Sequence, residues 1–227
     1  MHIGLLQAGH LPDDMQEKVG DYDALYAKLL KDQGIELSVY PVVDGVFPES
    51  VDAAEGWLIS GSKHGAYDDL PWIPTLEALI REIHEAREPL VGICFGHQII
   101  AQALGGKVEK FGGGWTVGRQ DYDWNGSTVA LNAWHQDQVV AKPPGAEVVG
   151  RSPFCQYAAL VYPGGAFTVQ AHPEFDREII SLLMDIRGPN MVPDVLLHQA
   201  RATLDHPIDD DRLAREIVSF FKEGRHE

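Results

Sequence analysis

Residues 90–98 read LVGICFGHQ, an apolar run that leads into a cysteine flanked by two glycines. Leu90–Ile93 is predicted to be a short strand, and a helix is predicted to start immediately after Cys94. Gly92 and Gly96 stand where a side chain would obstruct a tight strand-to-helix turn, as in a nucleophile elbow built on cysteine. The free N–H groups at the start of the helix favour a thiolate over a thiol. We therefore expect Cys94 to be a reactive nucleophile.

The alternative for any isolated cysteine is a buried core position, since cysteine is among the most buried residue types. The elbow setting argues against that alternative for Cys94, whereas Cys155 has no such setting and is expected to be structural. The two cysteines lie far apart without CxxC spacing, so we expect two free thiols, with no disulfide, metal or cofactor.

The chain around the elbow alternates strand and helix patterns. Apolar residues recur at helical spacing in two places: Met15, Val19, Tyr22, Tyr26 and Leu29, and then Ile73, Leu76, Ile80 and Ile83. The alternation predicts an α/β fold with a mostly parallel central sheet flanked by helices. Trp115 to Val149 changes to short segments separated by glycines, predicted to be antiparallel strands added to that sheet. From Asp176 the pattern is helical to the end, apart from Gly188-Pro189 and His206-Pro207. We expect a single domain over 1–227, with a core at about 40–176 and a helical segment at 177–227.

The composition of the chain argues against some classes of binding partner. The 227 residues include 34 acidic and 18 basic side chains, for a formal net charge of −16. This charge repels phosphate backbones and anionic lipids, so neither nucleic acid nor a membrane is expected as a partner. No apolar run approaches the roughly 20 residues of a membrane span, and a cytoplasmic protein is expected. The acidic run Asp209 to Asp211 is interpreted as capping of the last helix.

A second motif, AHPE at residues 171–174, follows a predicted strand at Phe167 to Gln170. Ligands bind at the carboxyl edge of strands in open α/β sheets. If the chain is extended there, Glu174 lies on the same side as His172 and accepts its Nδ1–H, which leaves Nε2 facing the sulfur. The two motifs together predict a Cys–His–Glu triad.

The motifs GICFGHQ at 92–98 and AHPE at 171–174 resemble those of the class I, triad-type glutamine amidotransferases. The resemblance covers roughly residues 40–176 and is strongest to stand-alone members similar to the amidotransferase domain of GMP synthetase. ISGS at 59–62 and WHQD at 134–137 support it. The family implies a flavodoxin-like fold.

From that resemblance, Cys94 attacks the glutamine Cδ carbonyl and His172 protonates the leaving ammonia. Glu174 holds the imidazole ring, and water then hydrolyses the γ-glutamyl thioester.

The resemblance also implies the surrounding contacts. Backbone N–H groups of Phe95 and of the loop Gly61-Ser62 would form the oxyanion hole. Gln98 would help to bind the substrate, with His135 and Asp137 near its α-amino and α-carboxylate ends.

One loop departs from the family pattern. Many members carry Gly-Gly-Pro in the oxyanion loop, whereas residues 61–65 here read GSKHG. Lys63 and His64 are either lid residues that touch the substrate or exposed polar loop residues. His97, beside the nucleophile, is expected to face another side of its helix and to serve packing or hydrogen bonding.

Three functions remain open at this point. The first is a glutaminase or amidotransferase that delivers ammonia to a separate acceptor or synthetase subunit. The second is a γ-glutamyl hydrolase or peptidase that uses the same triad on other γ-glutamyl compounds. The third is a noncatalytic regulatory module, against which the intact Cys94, His172 and Glu174 argue.

Overall fold

The computed structural model describes residues 1–223, which form eleven strands and seven α-helices. The strands are β1 (His2–Leu6), β2 (Glu36–Tyr40), β3 (Trp57–Ile59), β4 (Leu90–Ile93), β5 (Lys107–Lys110), β6 (Thr116–Trp124), β7 (Ser127–His135), β8 (Asp137–Ala141), β9 (Glu147–Arg151), β10 (Ala159–Tyr162) and β11 (Ala166–Val169). The helices are α1 (Asp13–Val19), α2 (Tyr22–Leu29), α3 (Trp72–Ala86), α4 (Phe95–Ala103), α5 (Arg177–Ile186), α6 (Asp194–Ala202) and α7 (Asp210–Glu223).

Nine strands form one sheet in the order β2-β1-β3-β4-β11-β10-β9-β6-β7. The first five are parallel to their neighbours, and the remaining four continue the sheet in antiparallel fashion. This confirms the α/β class with a mostly parallel sheet. The expectation that all the added strands join that sheet was wrong for β8, which pairs with β5 in a separate two-stranded sheet.

The sheet order brings the two sequence motifs together. β4 and β11 are adjacent and parallel, with Ile93 paired to Val169. The chain therefore leaves both strands at the same edge of the sheet, with Cys94 after β4 and His172 three residues after β11. Strand order alone thus places the two motifs side by side.

Two apolar cores cover the faces of the sheet. One contains α3 and α4, and the predicted apolar stripe of α3 (Ile73, Leu76, Ile80 and Ile83) is fully buried there. The other packs α2, α5 and α7 on the opposite face, where Ile3 and Phe221 share one cluster. Packing therefore continues past residue 176 into the C-terminal helices.

One local expectation needs correction, and the acidic run before α7 makes a further contact. The helical spacing from Met15 to Leu29 is divided into α1 and α2, because Gly20 adopts a positive φ of 78° between them. The Asp209 side chain accepts the N–H of Ala130 in β7 at 2.8 Å, so it fastens the start of α7 to the sheet. The predicted breaks after α5 and α6 are present, and residues 224–227 lie outside the described part of the chain.

Candidate active site

Cys94 stands on a sharp turn between β4 and α4. Its backbone has φ 54° and ψ −102°, a conformation that non-glycine residues rarely adopt. A Cβ at Gly92 would lie 2.5 Å from the backbone of Gly96, and one at Gly96 would lie 2.3 Å from the Ile59 carbonyl oxygen. The turn therefore requires both glycines, as the sequence motif predicts. The Cys94 side chain lines a pocket although only 6% of the residue is exposed.

His172 and Glu174 meet beside this elbow. Nδ1 of His172 donates to Oε1 of Glu174 at 2.7 Å, and both side chains are buried. Burial lowers the pKa of His172, but the Cys94 thiolate and the Glu174 carboxylate, by charge and by hydrogen bonds, raise it well above its ordinary value. The raised pKa favours the imidazolium form of His172 beside the Cys94 sulfur.

The local backbone differs from the extended chain expected at AHPE. The N–H of Phe175 reaches back to the carbonyl of His172 at 3.3 Å, so residues 172–175 form a turn. The contact between His172 and Glu174 is therefore made within a turn. Phe175 stacks flat on the imidazole, with ring centroids 3.8 Å apart and planes 2° apart.

Two residues that the sequence did not single out hold this turn. Tyr26 in α2 donates its hydroxyl to Oε1 of Glu174 at 3.1 Å. Asn132 in β7 accepts the His172 N–H at its carbonyl (2.8 Å) and donates its side-chain amide to the Phe175 carbonyl (2.8 Å). Both contacts join residues far apart in sequence, so no local pattern announces them.

The predicted oxyanion loop follows β3 and contacts the elbow helix. The Ser60 hydroxyl accepts the Ala8 N–H and donates to the Gly61 carbonyl, each at 2.9 Å, and the Ser60 carbonyl accepts the N–H of Gly96 at 3.2 Å. In a trans peptide the C=O and N–H point in opposite directions, so holding the Gly61 carbonyl also fixes the direction of the Ser62 N–H. Phe95 begins α4, where first-turn N–H groups have no intrahelical acceptor.

The three predicted substrate-binding residues all line the same pocket. Gln98 is nearly buried, and its Nε2 donates to the Asp137 carbonyl (2.9 Å) and to Oε1 of Gln170 (3.1 Å), which leaves its own Oε1 for other contacts. The imidazole of His135 is buried against the Asp137 carbonyl, and burial, then proximity to His172, lowers its pKa to about 3. His135 is therefore neutral.

Asp137 presents a carboxylate to the pocket. Its Oδ2 accepts the hydroxyl of Tyr67 at 2.9 Å, and burial raises its pKa. Burial, and then the same hydrogen bond, raises the pKa of Tyr67 to about 12. Tyr67 was not recognised from the sequence, because a surface tyrosine in a loop carries no motif.

The pocket has a volume of about 380 Å³. Lys63, which is exposed, and His64, which is half-buried against Trp72, both line it. Trp115 and Trp134 form part of its wall, with ring centroids 6.2 Å apart. Its remaining lining includes Tyr22, Leu183, Arg187 and Met191, none of which the sequence suggested.

Two residues predicted to be structural, His97 and Cys155, do not line the pocket. His97 is fully buried and its Nδ1 lies 2.8 Å from the Thr168 hydroxyl, which is a packing and hydrogen-bonding position. Cys155 is also buried, and burial raises its pKa to about 12.

The described residues contain no cluster of three or more His, Cys, Asp or Glu side chains arranged to hold a metal ion. No helix within residues 1–223 has both the length and the apolarity needed to cross a membrane.

A parallel sheet that carries a cysteine elbow on one strand and a buried His–Glu pair on the next is chemically suited to acyl transfer through a thiolate. Comparison with known proteins agrees with this class. The sequence pattern described as "Glutamine amidotransferase class-I" matches residues 19–179. The chain belongs to the class-I glutamine amidotransferase family.

The names of individual relatives describe two different activities. Gamma-glutamyl peptidase 2 of Arabidopsis thaliana is 28% identical over 236 residues, which cover 97% of this chain and 95% of that protein. The glutamine-hydrolysing GMP synthase of Aeropyrum pernix is 28% identical over 183 residues, which cover 74% of this chain but 35% of that enzyme. Among solved structures, a glutamine amidotransferase of Methylobacillus flagellatus covers the whole chain with a TM-score of 0.73 at 24% identity, which shows the shared fold.

Proposed function

We propose that this protein hydrolyses γ-glutamyl amide bonds through a thioester on Cys94, with γ-glutamyl peptides as its substrates. The observation that carries the proposal is the meeting of Cys94 and His172 in one pocket, with Glu174 paired to His172 behind it. A nucleophile, a base and an acid that orients the base are the parts that such a hydrolysis needs.

The first step is attack of the Cys94 thiolate on the Cδ carbonyl of the γ-glutamyl group. The carbonyl oxygen becomes an oxyanion, which we assign to the N–H groups of Phe95 and Ser62, with Gly61 forming the other half of the loop peptide. Each such donor contributes on the order of 3 kcal/mol to related acyl-transfer reactions. Ser60 supports this step by fixing the Gly61–Ser62 peptide.

The second step is collapse of the tetrahedral intermediate. The Nε2 proton of His172 passes to the leaving nitrogen, the C–N bond breaks and a free amine departs. His172, now neutral, takes a proton from water, which attacks the thioester carbonyl. Glutamate leaves and the thiolate of Cys94 is restored. Throughout, Glu174 holds the Nδ1–H of the ring.

Recognition of the γ-glutamyl group is assigned to the side of the pocket near β8. The carboxylate of Asp137 is placed to pair with an α-ammonium group, and Tyr67 already forms a hydrogen bond to it. Oε1 of Gln98 and the neutral His135 supply further polar contacts.

Peptides are preferred over glutamine as substrates for two reasons. A pocket of about 380 Å³ lies in the range of roughly 300–1,000 Å³ that holds ligands larger than a single amino acid. The γ-glutamyl peptidase relative also matches this chain over almost its entire length, whereas the GMP synthase is matched over about a third of its own.

The test measures glutamate release by the purified full chain from glutamine and from a panel of γ-glutamyl dipeptides and tripeptides, with Cys94→Ala as the blank. We expect kcat/KM for the best peptide to exceed that for glutamine. Glutamine turnover above that of every peptide would contradict the peptide assignment, and no turnover of any substrate would favour the noncatalytic reading.

The second candidate is a glutamine amidotransferase that supplies ammonia to a separate acceptor or synthetase subunit. The GMP synthase relative favours it, since that enzyme is named as glutamine-hydrolysing and its match covers 74% of this chain. Under this candidate, a co-purified partner raises kcat for glutamine by repositioning the Gly61–Ser62 peptide, with little change in KM. Affinity capture followed by a glutaminase titration distinguishes it from the peptidase.

A further inference from the structure

The candidate active-site pocket contains an arginine that forms no ion pair with an acidic side chain of the described residues. Arg187 caps the C-terminal end of α5, is half-buried and lines the pocket. Among residues 1–223 it takes part in none of the ion pairs, while its neighbours on α5 and α6, Arg177 and Arg201, pair with Asp205 and Asp185. A cation at a helix C-terminus offsets the helix dipole, yet this one also faces the space where substrate must lie.

The geometry around His172 indicates which part of a substrate Arg187 would meet. The imidazole gives its Nε2 proton to the leaving nitrogen, so the leaving group must lie on the His172 side of Cys94. On that side, a Cβ at Gly61 would lie 3.0 Å from both the His172 ring carbon Cε1 and the Tyr22 hydroxyl, so these two groups are close neighbours. Tyr22 is in turn close enough to Arg187 for the guanidinium charge to lower the pKa of the tyrosine, against the larger effect of burial.

The two sides of the pocket therefore differ in the chemistry of their side chains. Its β8 side carries Asp137 and Tyr67, which suit the α-ammonium of the γ-glutamyl group. Its α5 side carries Tyr22, Leu183 and Arg187, two apolar or aromatic walls beside a cation. Leu183 and Arg187 are four residues apart and so lie on the same face of the helix.

We infer that Arg187 binds a carboxylate on the leaving group, so that the substrates are γ-glutamyl amino acids or peptides whose released amine carries a free carboxylate. This inference rests on the proposed hydrolysis of γ-glutamyl peptides. A guanidinium binds a carboxylate through two parallel N–H···O bonds, which an amide or an ester cannot match.

The two lysines of the pocket are weaker candidates. Lys63 and Lys110 line it but are exposed, so water screens their charges. Lys110 also lies near Asp137, where it lowers the pKa that burial raises. Arg187 is half-buried and has no ion-pair partner among residues 1–223. Of these three cations, it therefore gains the most from pairing with a substrate carboxylate.

The experiment compares matched acids and amides. Gamma-glutamyl-glycine and γ-glutamyl-alanyl-glycine are each tested with a free C-terminal carboxylate and with a C-terminal carboxamide. We expect wild-type kcat/KM to favour the better acid over its amide by about 30-fold, the size of one charged hydrogen-bonded contact. In Arg187→Gln the acid should fall toward the amide, so that the preference approaches unity. Arg187→Lys should retain part of it.

Arg177→Gln is the matched control, since it removes the same charge from the same helix at a position that faces Asp205 outside the pocket. It should keep the wild-type preference. Equal losses for acids, amides and glutamine in Arg187→Gln would overturn the inference, because they would place Arg187 at the γ-glutamyl carboxylate or in a structural role.

Measurements on the wild type alone test the role of Arg187 separately from the proposed function. Cleavage of peptides without any preference for the free acid overturns the role of Arg187 and leaves the peptidase proposal standing. Cleavage of glutamine but of no peptide overturns the proposed function itself. Both outcomes are readable even if Arg187→Gln does not fold.

Discussion

The parallel part of the main sheet and the antiparallel strands beside it contribute differently to the pocket. In the parallel part, Cys94 and His172 follow adjacent strands, and each belongs to a short local motif. Among the antiparallel strands, His135 ends β7 and Asp137 begins β8 in the separate two-stranded sheet, and both side chains line the pocket. Under the proposed function, bond cleavage therefore belongs to the parallel edge, and recognition of the substrate α-ammonium belongs to the antiparallel strands. Substitutions in the first should lower kcat, and those in the second should raise KM.

The largest effect is expected at the nucleophile. Cys94→Ala should reduce kcat by at least about 10⁴-fold, because no other group can form the thioester. Cys155→Ala should retain activity, since that thiol is buried away from the pocket and its pKa is raised. A γ-glutamyl diazo-ketone followed by peptide mass spectrometry should label Cys94 alone. Labelling mainly at Cys155 would remove the assignment.

The next largest effect is expected at Glu174. Glu174→Gln should lower kcat by about 10²- to 10³-fold, less than Cys94→Ala or His172→Ala, since an acid that orients the base contributes less than the base itself. The Glu174 carboxylate helps to raise the pKa of His172. Its loss lowers that pKa, so the imidazolium gives up its proton at lower pH. The alkaline limb of kcat/KM should therefore move to lower pH, and an unmoved limb would contradict the pairing.

The role of the antiparallel strands is tested at Asp137. Asp137→Asn should raise KM by about 10- to 100-fold, because a charged hydrogen bond to the substrate ammonium is lost, with kcat changed much less. Asp121→Asn, an exposed carboxylate of strand β6 that pairs with Arg119, serves as the control and should leave both constants near wild type. A fall in kcat alone at Asp137 would contradict the division between the parallel edge and the antiparallel strands.

The smallest effect is expected at Ser60 on the parallel edge. Ser60→Ala releases the Gly61 carbonyl and should lower kcat by about 10-fold while KM changes little, since an oxyanion donor acts chiefly in the transition state. Ser62→Ala is the matched control, because its hydroxyl accepts the His64 N–H and, among residues 1–223, does not hold the Gly61 carbonyl. Thermal unfolding of both variants separates a kinetic effect from the loss of the buried bond to Ala8. An equal kcat in the two variants would contradict the role of Ser60.

The sequence predicted the parts of the fold that depend on local pattern. Apolar runs located β4 and β11, and two glycines located the elbow, because close backbone approach leaves few other choices. The meeting of Cys94 with His172 followed from the rule that parallel strands end at one edge. The hydrogen bond between His172 and Glu174 was expected correctly, although from an extended backbone where the chain makes a turn.

What could not be predicted depends on partners distant in sequence. Tyr26 looked like one of several apolar positions on a helix, yet its hydroxyl reaches Glu174 across 148 residues of chain. The division between α1 and α2 depends on one glycine conformation that helical spacing does not record. The place of β8 outside the main sheet is fixed by pairing with β5, and strand propensity says nothing about pairing.

The backbone of Cys94 has a consequence for the energy of the whole fold. A non-glycine residue held at φ 54° and ψ −102° costs on the order of 1–3 kcal/mol, and the surrounding structure must sustain that cost in every folded molecule. Glycine has no Cβ to clash and would relieve much of it, although it also loses more entropy on folding. Cys94→Gly should therefore unfold at a temperature at or above that of Cys94→Ala, as differential scanning calorimetry of the two variants can measure. Cys94, which we expect activity to need most, is then a residue whose replacement by glycine does not lower the stability of the fold.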